Sequence, residues 1–221
     1  MDHQTLFDRE IAELKEIILK MGLLVETLIA RSIKSLKERD KDLAKSVIKD
    51  DVRVDRLELE VDDRCIELIA IRQPKASDLR TIMTGVRIAT DLERIGDLAE
   101  DIAERSIELA EQGLIKPLID IPEMARLAQE ALKEALDAFV ESDPVKARGI
   151  REKEKQVDKL RDRVHDELLD IMTKDSSTVP RAIPLLLVSR HLERIADHAT
   201  NIAEDVVYMV EAKVVKHGGE N

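Results

Sequence analysis

The chain has 221 residues and a formal charge of −11, from 36 Lys and Arg against 47 Asp and Glu, with two Phe, one Tyr, seven Gly and one Cys. The single Cys65 excludes an intrachain disulfide and CxxC-type zinc or redox sites, and the sparse glycines form neither a GxGxxG nor a GxxxxGKS/T phosphate cradle, so no nucleotide cofactor is expected. Three aromatics and an acidic balance oppose nucleic-acid binding, while 43% hydrophobic and 38% charged residues, rich in Leu, Ile, Ala, Glu, Lys and Arg, make a helical composition.

Apolar spacing and punctuation predict six helical stretches. The first covers about residues 5–38, with Leu14, Ile17, Ile18, Met21, Leu24, Val25 and Leu28 at three- and four-residue steps. Asp40 is placed to cap the second, which stops near Ile71, ahead of Pro74. Ser77 is placed to cap the third, with Gly113 as the residue that ends it. A linker with Pro117 and Pro122 follows, and Asp120 to Glu123 reads as a capping-box-like start for the fourth. Asp143-Pro144 supplies an N-cap and a first-turn proline for the fifth. Asp175 to Pro180 open the sixth, in which Pro184 predicts a kink. The longest apolar run, residues 183–188, falls far short of the roughly 18 needed to span a bilayer, and the polar start has no signal-peptide core. The expectation is a cytoplasmic protein with no membrane span.

An internal repeat organises these elements. Val54-Asp55-Arg56-Leu57 returns as Val157-Asp158-Lys159-Leu160, 103 residues on, and the same offset joins Asp40 to Asp143. Leu92-Glu93-Arg94-Ile95-Gly96-Asp97 returns as Leu192-Glu193-Arg194-Ile195-Ala196-Asp197, 100 residues on. The predicted fold is therefore all-α, two tandem three-helix bundles over residues 1–115 and 120–217.

The repeat carries carboxylates in ladders. Glu93, Asp97 and Asp101 follow at i, i+4 and i+8, which keeps them on one helix face, and Glu193, Asp197 and Asn201 repeat the pattern. Asp51 with Asp55, and Glu154 with Asp158, add matching pairs on the neighbouring helices. Stacked like charges repel by a few tenths of a kcal/mol, so a compensating group is expected. Glu93 shares its seven-residue line with Leu79, Val86, Glu100 and Ile107, and Glu193 shares one with Val179, Leu186, Thr200 and Val207, which predicts core-facing acids. Hard oxygen donors from two packed helices suit Mg, Mn, Ca or Fe better than zinc. The competing expectation is neutralisation of the same acids by Arg87, Arg94, Arg190 and Arg194. His198, beside Asp197, is an additional ligand candidate or a supporting group, although Leu98 stands at its repeat position. No Glu-x-x-His pair and no local nucleophile set occurs, and Cys65 reads as a packing residue.

On these residues the chain resembles the PhoU family over nearly its whole length. The resemblance is carried by Gln73-Pro-Lys-Ala-Ser-Asp78-Leu-Arg80, by Leu92 to Asp97, and by Leu192-Glu-Arg-Ile-Ala-Asp-His-Ala-Thr-Asn-Ile-Ala-Glu204. It implies two three-helix bundles, an E/D-x-x-x-D motif in each and, as in some members, multinuclear metal binding. Carried over, Asp51, Asp55, Glu93, Asp97, Glu154, Asp158, Glu193 and Asp197 are the metal positions, with Asp101, Asn201 and His198 as further or supporting members. The family also implies a non-enzymatic regulator that shuts off the phosphate regulon. In that role it contacts the phosphate transporter's ATPase subunit (PstB-like) and a sensor histidine kinase (PhoR-like) at the inner membrane. Monomer and homodimer both fit the sequence. Two other readings compete: a metal-dependent hydrolytic or redox enzyme on the same carboxylates, and a helical scaffold whose acids serve only in salt bridges.

Overall fold

The computed structural model describes residues 3–214, and these form seven helices and a single 3-10 turn with no strand. The helices are α1 (His3–Glu38), α2 (Lys41–Arg72), α3 (Ala76–Leu109), α4 (Asp120–Glu141), α5 (Pro144–Gly149), α6 (Arg151–Lys174) and α7 (Val179–Glu211), with the 3-10 turn at Ser176–Thr178 ahead of α7. Helices α1, α2 and α3 pack as one bundle and α4, α6 and α7 as a second. The all-α, two-bundle expectation therefore holds.

Caps explain most of the boundaries. Asp40 accepts from the backbone N–H groups of Asp42 and Leu43, and Asp143 accepts from those of Val145 and Lys146. Each cap satisfies donors that the first helical turn leaves unpaired. Gln73 closes α2 in the left-handed region at φ 48° and Pro74 follows. Four expectations are corrected. Lys75, not Ser77, precedes α3, and no side chain caps it. The α3 helix ends at Leu109, four residues before Gly113, where Arg39 donates to the Ala110 carbonyl and stops the ladder. Asp120 is the first residue of α4 rather than its cap. The predicted fifth helix is broken into α5 and α6 at Ile150, where 3-10-type bonds from Ile150 to Ala147 and from Lys153 to Ile150 tighten the turn. Pro184 lies inside α7, six residues from its start, and the helix continues through it.

The repeat predicts the core. Buried Ala44, Val54, Leu57 and Val61 of α2 match buried Ala147, Val157, Leu160 and Val164 at the 103-residue offset. Leu92, Ile95, Ala99 and Ile102 of α3 match Leu192, Ile195, Ala199 and Ile202 at the 100-residue offset. Full burial of each Leu or Ile contributes about 1.5–3 kcal/mol. The two bundles are not separate bodies. Helices α3 and α7 pack antiparallel on each other, α1 lies against α4, and one apolar cluster runs through both units. Gly22 of α1 makes the second contact possible, because a Cβ there would fall 2.3 Å from a methyl of Leu136 on α4.

Candidate metal centre

The seven-residue line through Leu79, Val86, Glu93, Glu100 and Ile107 does not face the core; it runs along the boundary between core and solvent. That corrects the expectation of core-facing acids, because the true core of α3 lies one step round at Ile88, Leu92, Ile95 and Ala99. The boundary line meets α2 instead, and the first ladder and the Asp51–Asp55 pair come together there.

Asp51 is the acid that is buried, at 5% exposure. One of its oxygens, Oδ1, has no hydrogen-bond partner. Gly96 makes room for it: a Cβ at Gly96 would lie 2.6 Å from that oxygen. Around it, one ligand atom each from Asp51, Asp97 and Glu100 lie within 4.8 Å of one another. Burial, then the charges of Asp55, Glu100, Asp97 and Glu93, push the Asp51 carboxyl up to about 7. Desolvation followed by neighbouring acids also raises Glu93, Asp97 and Glu100 above the ordinary carboxylate range. Four acids held above their ordinary range, one with a buried oxygen lacking a proton donor, describe a cluster short of positive charge, open to solvent at the exposed Asp97. An oxygen-preferring cation fits that donor set. Glu100 is the member that sequence reasoning did not assign, although it lies seven residues after Glu93 and three after Asp97. Asp55 is exposed and Glu93 half-buried beside the trio.

The second unit is built differently at the same repeat positions. Glu58 is replaced by Arg161, and Glu100 by Thr200. The Arg161 guanidinium lies 3.3 Å from Glu193, and Arg190 lies 3.6 Å from its other oxygen. The Thr200 hydroxyl donates to Glu154 at 3.0 Å. Ala196 stands where Gly96 does, and Glu154 is only half-buried. Asp197 keeps a carboxyl raised to about 6, by burial first and then by Glu193, Glu154 and Asp158. Among the described residues, no three acids of this unit approach as closely as Asp51, Asp97 and Glu100. Of the four arginines expected to neutralise the ladders, only Arg190 meets a ladder acid; Arg87 pairs with Asp205, and Arg94 lies 3.9 Å from Asp91. Arg161, unassigned by sequence reasoning, is the other neutralising group.

The supporting candidates belong to the α3–α7 contact. The His198 ring nitrogen Nδ1 is 2.8 Å from buried Asp91, so the histidine ties α7 to α3. Asp101 lies 3.6 Å from His191, whose imidazole is held below its ordinary range chiefly by burial. A groove of about 530 Å³ crosses this contact, lined by Arg94, Asp97 and Asp101 from one repeat and by Arg194, Asp197 and Asn201 from the other. Cys65 is buried with its thiol pushed up to about 12 by burial, as a packing residue should be.

A family model described as the PhoU domain matches the chain twice, at residues 18–106 and 121–206. The phosphate-specific transport system accessory protein PhoU homolog of Aquifex aeolicus is 41% identical over 209 residues, 95% of each chain. The homolog of Rhizobium meliloti is 42% identical over 92% of this chain and 86% of its own. Among solved structures, PhoU from Pseudomonas aeruginosa superposes with a TM-score of 0.89 at 35% identity, covering 93% of this chain and 99% of its own. The phosphate transport system regulatory protein PhoU from Streptococcus pneumoniae gives 0.89 at 30% identity, covering 95% and 99%.

Proposed function

The chain belongs to the PhoU family, and on that premise we propose that it is a regulatory adaptor of phosphate uptake, not a catalyst. It acts by protein contact in the cytoplasm, on the transporter's ATPase subunit and on a sensor kinase, and it holds the phosphate regulon down. The observation that carries this reading is that the match extends over both repeats and nearly the full length of accessory and regulatory relatives. No helix among the described residues is long and apolar enough to cross a membrane, so contact with a membrane complex falls to surfaces of the bundle.

The cation belongs to this function as a structural group. Asp51, Asp97 and Glu100 would hold it, with Asp55 and Glu93 beside them. When bound it supplies positive charge between α2 and α3 and cancels the repulsion among these acids. Gly96 keeps Asp51 seated, and the core residues Val54 and Ile95 hold the two helices in register around it. Glu154, Asp158, Glu193 and Asp197 form the weaker counterpart, because Arg161 already supplies a positive charge there. Mn, Fe and Mg all suit these donors.

Two measurements test the reading. Metal analysis of the full chain loaded with Mn(II) and desalted should find metal that a D97N/E100Q double variant loses; equal content in both would remove the metal from the site. Binding of the full chain to the purified ATPase subunit and sensor kinase of the same organism, with and without Mn(II), should give a saturable complex with at least one of them. Absence of binding to both would end the adaptor reading.

A further inference from the structure

The face of α1 and α2 turned away from α3 carries a feature that the repeat does not require. The two helices run antiparallel, tied by Arg72 to Glu10, Arg64 to Glu13 and Arg31 to Asp50. Between them lies an open trough of about 470 Å³ lined by Leu23, Leu24 and Leu57 together with Lys20, Arg53 and Arg56. Leu23 is 66% exposed. None of the three cations has an acid within ion-pair distance among the described residues, in a chain whose net charge is −11. Arg56 sits four residues after Val52 and three before Leu59, so it adjoins an outer line formed by Val52, Leu59 and Ile66 at seven-residue spacing. Those three are exposed, Leu59 by 62% and Ile66 by 66%.

The second unit shows what the same bundle positions look like when nothing else is asked of them. Val52 corresponds to Lys155, Leu59 to Asp162 and Arg53 to Gln156, while Arg56 keeps a basic counterpart in Lys159 and Ile66 an apolar one in Leu169. The packing residues beneath are retained, with Leu57 matched by Leu160 and Val61 by Val164. The fold therefore tolerates charge on this face; both units carry basic groups there, and what the first unit adds is the exposed apolar Val52 and Leu59.

We propose that the trough between α1 and α2 of the first unit is a docking site for an acidic amphipathic helix of a partner protein. A furrow between two antiparallel helices accepts a third helix lying along it, whose apolar ridge covers Leu23 and the floor at Leu24 and Leu57. Carboxylates on its flanks meet Lys20, Arg53 and Arg56, which fix its register and favour acidic over basic sequences. A segment of a second copy of this chain is the competing occupant, and the test separates the two. The site rests on the adaptor reading and deepens it, by giving contact regulation a surface and a partner chemistry.

The test is photo-crosslinking of the full chain in its host, with a photoreactive residue at Leu23 or Thr27 and, as controls, at Gln156 or Lys159, the repeat positions of Arg53 and Arg56. The expected result is an adduct from the first pair only, whose crosslinked segment, read by mass spectrometry, is an acidic amphipathic helix of another protein. Charge reversal by R53E/R56E, in a protein with unchanged helicity and melting, should lower the adduct about tenfold or more, the scale of two flanking charge pairs turned repulsive. No adduct, equal adducts from both units, a segment of this same chain, a lipid, a segment without acidic residues, or indifference to R53E/R56E each overturns the proposal. An acidic helix from a protein unrelated to phosphate uptake would support the docking site and remove the adaptor reading. Transporter or kinase binding that survives R53E/R56E and L23S would keep the adaptor reading and remove the docking site.

Discussion

Gly96 and Ala196 hold the same place in the repeat, and the one methyl between them separates two environments. With no side chain at 96, Asp51 enters the α2–α3 boundary until its Oδ1 occupies the space a Cβ would take. A G96A substitution should displace that carboxylate without unfolding the helix, since Ala favours helix by about 1 kcal/mol over Gly. Metal titration should then show affinity reduced about 10–100-fold, the usual effect of disturbing what orients a ligand. Asp51 also predicts a pH dependence in metal-free protein. Its folded carboxyl titrates at about 7 because of burial and its acidic neighbours, and the unfolded one near 4. Between those values the folded chain holds a proton that the unfolded chain has lost, so the contribution of Asp51 to stability falls as pH rises through that range. In chelator, the melting temperature of D51N relative to the parent should therefore rise between about pH 4.5 and pH 7.5. A difference that stays constant would show that Asp51 is not desolvated.

Helix boundaries and helix charges belong to the next scale. Asp40 and Asp143, related by the repeat, each accept two backbone N–H groups, and D40A or D143A should cost about 0.5–2 kcal/mol in denaturant unfolding. These caps were legible because an N-cap is decided by one side chain and the two or three amides after it. Gly113 misled because Arg39 of the α1–α2 turn reaches the Ala110 carbonyl at that end; α3 and α4 start without any side-chain cap, α4 at Asp120 itself. The ladders were legible on the same local grounds, as i, i+4 spacing is read directly. Which acids are neutralised was not, since it depends on the facing helix. Glu58 and Arg161 share one repeat position on α2 and α6, and an E58R substitution should bring to the first unit the cation that Arg161 gives the second. The expected outcome is loss of metal from the first site, measured by elemental analysis, with the melting temperature of metal-free protein unchanged or raised.

At the scale of the whole molecule, the two units share one core. The α3–α7 contact is fastened by Asp91 to His198 and by Arg87 to Asp205, and the α1–α4 contact by Gly22 against Leu136. Lys15 of α1 also donates to the Val140 carbonyl near the end of α4. Calorimetry of metal-free protein should therefore give one cooperative transition, with calorimetric and van't Hoff enthalpies agreeing. Two resolved transitions would mean that the units melt independently and that the shared cluster contributes little. The first-unit trough and the α2–α3 carboxylates lie on neighbouring sides of one helix, α2.

The sequence by itself determined the helical class, the duplication, the apolar stripes and the positions of the ladders, since each is a periodicity within one segment. Tertiary structure decided what those acids meet. It brought Glu100 to Asp51 and Asp97, gave Asp51 a buried oxygen without a donor, and set Arg161 on Glu193 in the other unit. In the second unit Arg161 and Arg190 sit on Glu193, while among the described residues no cation pairs with Asp51, Asp97 or Glu100 in the first. Helical spacing fixes which face a carboxylate is on, but its electrostatic partner comes from another helix, across a distance that no local pattern encodes.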